Sequence, residues 1–244
     1  MKFWLGTHIV KWLREEEDLF ISRRRLTSYK KLPIAKGSWC LDSGGFTELN
    51  IFGEWKTKEK EYIKEVERFR DEIGNLEWCS PMDWMCEPSM LNKTGKTILE
   101  HQKLTIKNFL KLRNELGYLV IPVLQGWERD DYLKCIDMYE YEGIDLSSEM
   151  LVGIGSVCRR QNTKEIEDII CCLEGLNLHG FGVKTSGIKR YGKKLNSSDS
   201  MSWSYAARRS KALAGCTTHK NCANCLKYAR QWKEKILNLI EEIE

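Results

Sequence analysis

The chain has 244 residues, a length that suits one ordinary domain or one α/β barrel of about 250 residues and leaves little room for two domains. Hydrophobic residues make up 42% and charged residues 30% of it, and no run approaches the roughly 18 apolar residues of a membrane span, which excludes an integral helical membrane protein. A net charge of +4 is too small to identify an anionic partner by its sum, so where the positive charge clusters matters more.

In chain order, short apolar, β-branched or aromatic runs alternate with longer segments of helical period, the pattern of repeated βα units. Strands are predicted over residues 2–7, 18–22, 38–42, 78–83, 119–125, 151–157, 179–184 and 198–203. Helices are predicted over residues 58–73, 97–116, 129–141 and 163–173, after Trp203, and from Asn221 to the C-terminus. The first of these carries Tyr62, Val66, Phe69 and Ile73 on one stripe, and the second carries Ile98, His101, Leu104, Thr105, Phe109 and Leu112. Successive parallel strands need crossover helices, and a closed sheet leaves no unpaired edge. The expected fold is therefore a (β/α)8 TIM-type barrel over residues 1–215, with residues 216–244 forming a zinc-binding segment and a C-terminal helix packed on it. An open doubly wound sheet is the alternative.

The first twenty residues contain an apolar run broken by His8 and Lys11, without a small-residue cleavage site. That is not a signal peptide, so a cytoplasmic location is expected. The ten cysteines then read as reduced thiols. Four ligands crowd into CTTHKNCANC, where Cys216, His219, Cys222 and Cys225 stand as C-x2-H-x2-C-x2-C. Three thiolates and one imidazole suit a tetrahedral zinc ion with no open position, hence a structural role.

In a barrel, functional side chains come from the C-terminal ends of strands. That scan finds Asp42 in LDSGGF, Asp83 in SPMDW, Gln125 in VLQGW, the glycines of VGIGS, and Asp199 in SSDSMSW. Two carboxylates flanking one bond can displace a group at a sugar anomeric carbon, one as nucleophile and one moving protons. A third carboxylate and an amide suit the polar edge of a base such as guanine. Basic clusters follow the strands: Arg23, Arg24 and Arg25; Arg159 and Arg160; Lys189, Arg190, Lys193 and Lys194; Arg208 and Arg209. Placed on one rim, they would contact nucleic-acid phosphates.

Together these motifs resemble the tRNA-guanine/archaeosine transglycosylase superfamily, and most closely its phage and bacterial DNA-modifying branch, the 7-deazaguanine DNA transglycosylases of the deoxypurine in DNA protein A family. The resemblance runs from FWLGTH to the zinc cluster. It implies that Asp42 of DSGG is the general acid/base and that Ser43, Gly44 and Gly45 shape the pocket. It also implies that Asp83 reads the guanine edge, that Gln125 contacts the base carbonyl, and that Gly153 and Gly155 line the same pocket. Asp199 then falls at the nucleophile. The implied reaction replaces guanine in DNA with a 7-deazaguanine such as the 7-cyano form, through a covalent aspartyl-sugar, in a host cytoplasm where the chain is phage-encoded. Two features depart from the tRNA enzymes: the metal ligands are compact with histidine second, and the chain is shorter. The same chemistry on tRNA, or a non-catalytic nucleic-acid-binding barrel, are the rival expectations. The sequence leaves open whether the chain acts as a homodimer or with a partner enzyme.

Overall fold

A computed structural model describes residues 1–244. Eight parallel strands form one curled sheet in the order β4-β3-β2-β1-β8-β7-β6-β5. They are β1 (Lys2–Thr7), β2 (Leu19–Ser22), β3 (Trp39–Asp42), β4 (Leu76–Cys79), β5 (Val123–Leu124), β6 (Val152–Ile154), β7 (Leu178–Gly180) and β8 (Ser197–Ser200). Helices are α1 (Arg23–Leu26), α2 (Gly45–Phe52), α3 (Glu59–Ile73), α4 (Pro88–Thr94), α5 (Ile98–Leu116), α6 (Arg129–Tyr141), α7 (Lys164–Cys172), α8 (Thr185–Tyr191), α9 (Ser202–Arg208) and α10 (Leu226–Ile243). No helix is long and apolar enough to cross a membrane.

All eight predicted strands are present, and the later ones are shorter than their apolar runs. The run 119–125 keeps only two strand residues, because Gly117–Leu119 tightens into a 3-10 turn and Pro122 supplies no amide hydrogen for a ladder. The two edges of the sheet therefore meet at one point. Cys79 bridges Val120, and the Ile121 amide donates to the Cys79 carbonyl at 3.1 Å.

Strand side chains alternate between two cores. Phe3, Leu5, Leu19, Ile21, Trp39, Leu41, Val152 and Ile154 point outward into the large core beneath the helices. The intervening Trp4, Phe20, Cys40 and Trp78 fill the concave face with Ile121 and Leu151. The helices cover the outer core as their stripes require. Tyr62, Val66, Phe69 and Ile73 of α3 are all buried. In α5, His101, Thr105, Phe109 and Leu112 are buried, while Ile98 and Leu104 are half-buried. Thr97 and Glu100 close a reciprocal capping box at the start of α5.

Beyond the last strand, α9 and α10 flank the segment that carries Cys216 to Cys225, and α10 returns to pack on β1, α8 and α9. Phe3 and Trp232 meet there with ring centroids 5.8 Å apart.

Candidate active site

The strand period of two carries the concave face up to the carboxylates. Asp42 lies two residues past Cys40 on β3, and Asp199 is the register partner of inward-facing Trp4. Both reach the C-terminal end of the sheet, where a cavity of about 640 Å³ opens. Asp42, Asp83 and Asp199 all line it, together with Gly155, Arg24 and Arg25 of the predicted set.

Asp199 is buried to 7% exposure and is held through one oxygen. The Gly182 amide donates to its Oδ1 at 2.9 Å, and His179 Nε2 lies 3.4 Å from the same atom. Asp42 sits on the cavity wall. Burial raises its carboxyl above the usual value, and the negative charge of Asp199 adds to the rise, while hydrogen bonds from the Ser22 hydroxyl and the Gly44 amide pull the other way. Asp83 is pushed up to about 7, first by burial and then by the charge of Asp42. Asp42 and Asp83 thus share one enclosed space with Asp199, and burial holds both of their carboxyls above the ordinary value.

Gln125 is fully buried behind the cavity wall. Ser156 Oγ donates to its Oε1 at 2.8 Å, which fixes the amide so that Nε2 donates to Asp83 Oδ2 at 2.7 Å. Ser43 Oγ donates to the other oxygen, Oδ1, at 3.2 Å. Neither Gln125, expected at the base carbonyl, nor Ser43, expected to shape the pocket, lines the cavity; both bond Asp83, which does. Ser156 itself is held at φ 60°, a left-handed conformation uncommon for a residue with a side chain.

The glycines divide by role. Gly44 turns the chain from β3 into α2 at φ 78°. A Cβ on Gly45 would meet Met85 and Trp55 within 2.9 Å, so its absence lets α2 begin against Asp83. A Cβ on Gly155 would lie 2.2 Å from Gln125 Nε2. Gly153 is off the cavity, and its missing side chain leaves room for the Phe181 ring.

The basic clusters do not share one rim. Arg23 is buried, with its guanidinium 3.1 Å from Glu48 and 2.5 Å from Glu65, and it also donates to Thr57 at 2.9 Å. It is a structural ion pair. Arg24 lines the cavity and pairs with Glu48 at 2.8 Å, and Arg25 lines it exposed. Lys189 and Arg190 lie near the end of α8, and Lys193 and Lys194 follow it into β8. A crossover helix returns the chain to the N-terminal end of the sheet, so this cluster lies towards the end opposite the cavity. Arg190 and Lys194 pair there with Glu167 and Glu174 of the preceding crossover. Arg159 is exposed in the loop after β6, and Arg208 and Arg209 are exposed at the end of α9. Arg159 stacks over Phe46, and Arg209 stacks over Tyr205 at 3.5 Å. Arg160 stacks at 3.5 Å over Trp127 and pairs with Glu165.

Sequence reasoning missed Ser22, Ser156, His179 and Glu87, whose carboxylate lies 3.2 Å from Ser156 Oγ on the cavity wall, and treated His8 only as a break in an apolar run. Ser22 and His8 stand at strand ends and fall within the scan. Glu87 and His179 carry no local signal, since one lies in a loop and the other inside a strand.

The ligand atoms of Cys216, His219, Cys222 and Cys225 lie within 4.8 Å of one another and could hold a metal ion. The Cys216 and Cys225 sulfurs are 3.9 Å apart, close to the roughly 3.8 Å that tetrahedral bonds of about 2.3 Å impose, so the donors fit such an ion. The segment is tied to the cavity wall. His8, which lines the cavity, hydrogen bonds Asn224 at 2.7 Å and stacks on Trp203, and Ser204 donates to the Ala223 carbonyl at 2.8 Å.

The family model of deoxypurine in DNA protein A (DpdA) matches residues 1–244, the whole chain. The chain belongs to the DpdA family. Membership ties it to modification of purines in DNA, a transferase reaction. No curated protein matches it.

Proposed function

We propose that the chain is a DNA-guanine transglycosylase that exchanges guanine for a 7-deazaguanine, such as the 7-cyano form, through a covalent sugar ester on Asp199. The observation that carries this reading is the meeting of Asp42 and Asp199 on the wall of one cavity, with Asp83 protonating near neutrality beside them. The single bridge between the sheet edges supports reading the sheet as a closed (β/α)8 barrel over residues 1–215. Residues 216–244 would then be its docked zinc segment and helix. Three thiolates and an imidazole favour zinc in a closed structural site, where the ion would pin the segment beside His8 and leave the chemistry to the carboxylates. The proposed setting is the cytoplasm, where such thiols stay reduced.

The target deoxyguanosine is extruded from the stack into the cavity. Asp83, ionised and steadied by Gln125 and Ser43, accepts from the N–H groups of the guanine edge. Asp199 Oδ2 forms a bond to C1′ as the C1′–N9 bond breaks, and the electron pair leaves on the base, which takes a proton from Asp42. The incoming 7-deazaguanine gives its N9 proton to the now ionised Asp42 and attacks C1′. The Oδ2–C1′ bond breaks and its pair returns to the carboxylate. Two displacements retain configuration, and Asp42 ends in the protonation state in which it began. Exposed Arg25, which lines the cavity, and exposed Arg159, Arg208 and Arg209 would contact phosphates of the bound DNA.

The test is incubation of the purified chain with labelled 7-cyano-7-deazaguanine and either duplex DNA or tRNA. Label is expected in DNA and not in tRNA. Asp199→Asn is expected to lower the rate by about 10³-fold or more, and Asp42→Asn by about 10²- to 10⁴-fold. Wild-type rates in both variants would overturn the assignment, and label in tRNA alone would move the reaction to that polymer.

A further inference from the structure

His179 is the one fully buried histidine on the concave face of the sheet, and the chemistry above leaves it unused. Its ring is boxed by aromatics, with centroids 4.7 Å from Trp78, 4.7 Å from Phe181 and 5.9 Å from Phe20. Only two polar groups face it. Nδ1 lies 2.8 Å from Ser197 Oγ, and Nε2 lies 3.4 Å from Asp199 Oδ1. The backbone builds this array: His179 and Ser197 are register partners across β7 and β8, and Asp199 is two residues further along the same face.

We propose that His179 is a positioning residue that carries its ring proton on Nε2 and donates it to Asp199 Oδ1, leaving Oδ2 as the attacking oxygen. The inference rests on the transglycosylase reading and deepens it. Two tautomers are available to the ring. With the proton on Nδ1, the Nε2 lone pair would face the lone pairs of a carboxylate oxygen inside an apolar box. With the proton on Nε2, Ser197 Oγ, which makes no other hydrogen bond, donates to Nδ1, and the Nε2–H, which has no hydrogen-bond partner in this structure, faces Asp199 Oδ1 at 3.4 Å. The second arrangement leaves no buried polar group opposed. A separation of 3.4 Å is long, as contacts of this kind often are before substrate tightens them.

Oδ1 then accepts from the Gly182 amide and faces the His179 N–H at 3.4 Å, whereas no protein group bonds Oδ2. Once Oδ2 bonds to C1′, Oδ1 becomes the ester carbonyl and keeps both donors. When the second displacement breaks the Oδ2–C1′ bond, the returning electron pair spreads onto Oδ1, where the two donors meet it. Phe181 keeps the imidazole in place from one side, and Gly153 makes room for Phe181. That gives the predicted pocket glycine an indirect part in the site.

Three measurements test this. First, steady-state exchange into DNA is compared among wild type, His179→Phe and His179→Gln, with thermal melts as the check on folding. The phenylalanine keeps an aromatic ring without a donor, and the glutamine restores an N–H near the Nε2 position. His179→Phe is expected to lower kcat by about 10²-fold with KM for DNA unchanged, and His179→Gln to recover most of it. Wild-type kcat in a folded His179→Phe overturns the proposal, and so does a glutamine variant as slow as the phenylalanine one. Second, 15N spectra of the imidazoles, assigned by loss of the His179 signals in His179→Gln, are expected to show the proton on Nε2. A proton on Nδ1 alone overturns the proposal even if the Phe variant fails to fold. Third, wild type is assayed for exchange on every nucleic acid offered. Exchange on none defeats the transglycosylase reading, while the tautomer separately decides whether His179 donates to Asp199.

Discussion

At the scale of single residues, Asp83 determines how the cavity responds to pH. Its carboxyl titrates near 7, against an ordinary value of 3.8, because burial and the charge of Asp42 both penalise ionisation. The folded value lies above the unfolded one, so the stability this group contributes is complete below about pH 4 and is lost as pH rises through about 7. Asp83→Asn removes that loss. Its melting temperature is expected to gain on wild type between about pH 4 and about pH 8.5, and melts across that range check it. In the proposed exchange the guanine edge is read by the ionised form, so kcat/KM is expected to rise with pH through about 7 in wild type, and this limb should vanish in Asp83→Asn. Gly155→Ala would put a methyl 2.2 Å from the Gln125 amide and release Asp83. Overpacking of this kind costs about 1–3 kcal/mol, and chemical denaturation of the variant would report it. The sequence marked Asp83 and Gln125 separately as polar residues at strand ends. Their mutual bond was not legible, because it depends on how the ends of two distant strands approach.

At the scale of elements, legibility followed length. α3, α5, α6 and α7 each span enough turns to show an apolar stripe, and their bounds agree with the sequence reading to within a residue or two. α1, α2, α4 and α8 have eight residues or fewer, too few for a period to emerge, and none was predicted. β8 reads SSDS, which has no strand propensity of its own, and its neighbours β1 and β7 impose the conformation. RRR was legible as charge but not as geometry, since only Glu48 of α2 and Glu65 of α3 decide that Arg23 turns inward. Arg23→Ala strands those partners and is expected to cost about 3–5 kcal/mol in denaturant unfolding, whereas Arg25→Ala should change stability by less than about 0.5 kcal/mol. Chelation of a metal at Cys216, His219, Cys222 and Cys225 is expected to lower the melting temperature and loosen the pairing of His8 with Asn224. Metal analysis should give one equivalent per chain. A chain that holds no metal and melts unchanged with chelator would contradict the structural site.

At the scale of the molecule, the strand-end scan located the cavity because parallel strands deliver their C-terminal residues to one face whatever the details of packing. The same topology separates Lys189, Arg190, Lys193 and Lys194 from the cavity: residues late in a crossover belong to the opposite face. The rim and the far cluster therefore separate in a binding experiment. Replacing Arg25, Arg159, Arg208 or Arg209 by Ala is expected to lower the salt slope of DNA binding by about 1 for each phosphate that the variant no longer neutralises. Replacing Lys193 and Lys194 should leave the slope unchanged. The proposed exchange asks more than DNA binding: Asp42 and Asp199 must share one sugar. Its most direct test is to quench the chain during turnover on DNA and map any covalent adduct by peptide mass spectrometry. A deoxyribose-linked oligonucleotide is expected on the peptide that contains Asp199, and none in Asp199→Asn. An adduct on another residue, or base exchange that continues in Asp199→Asn, would contradict it.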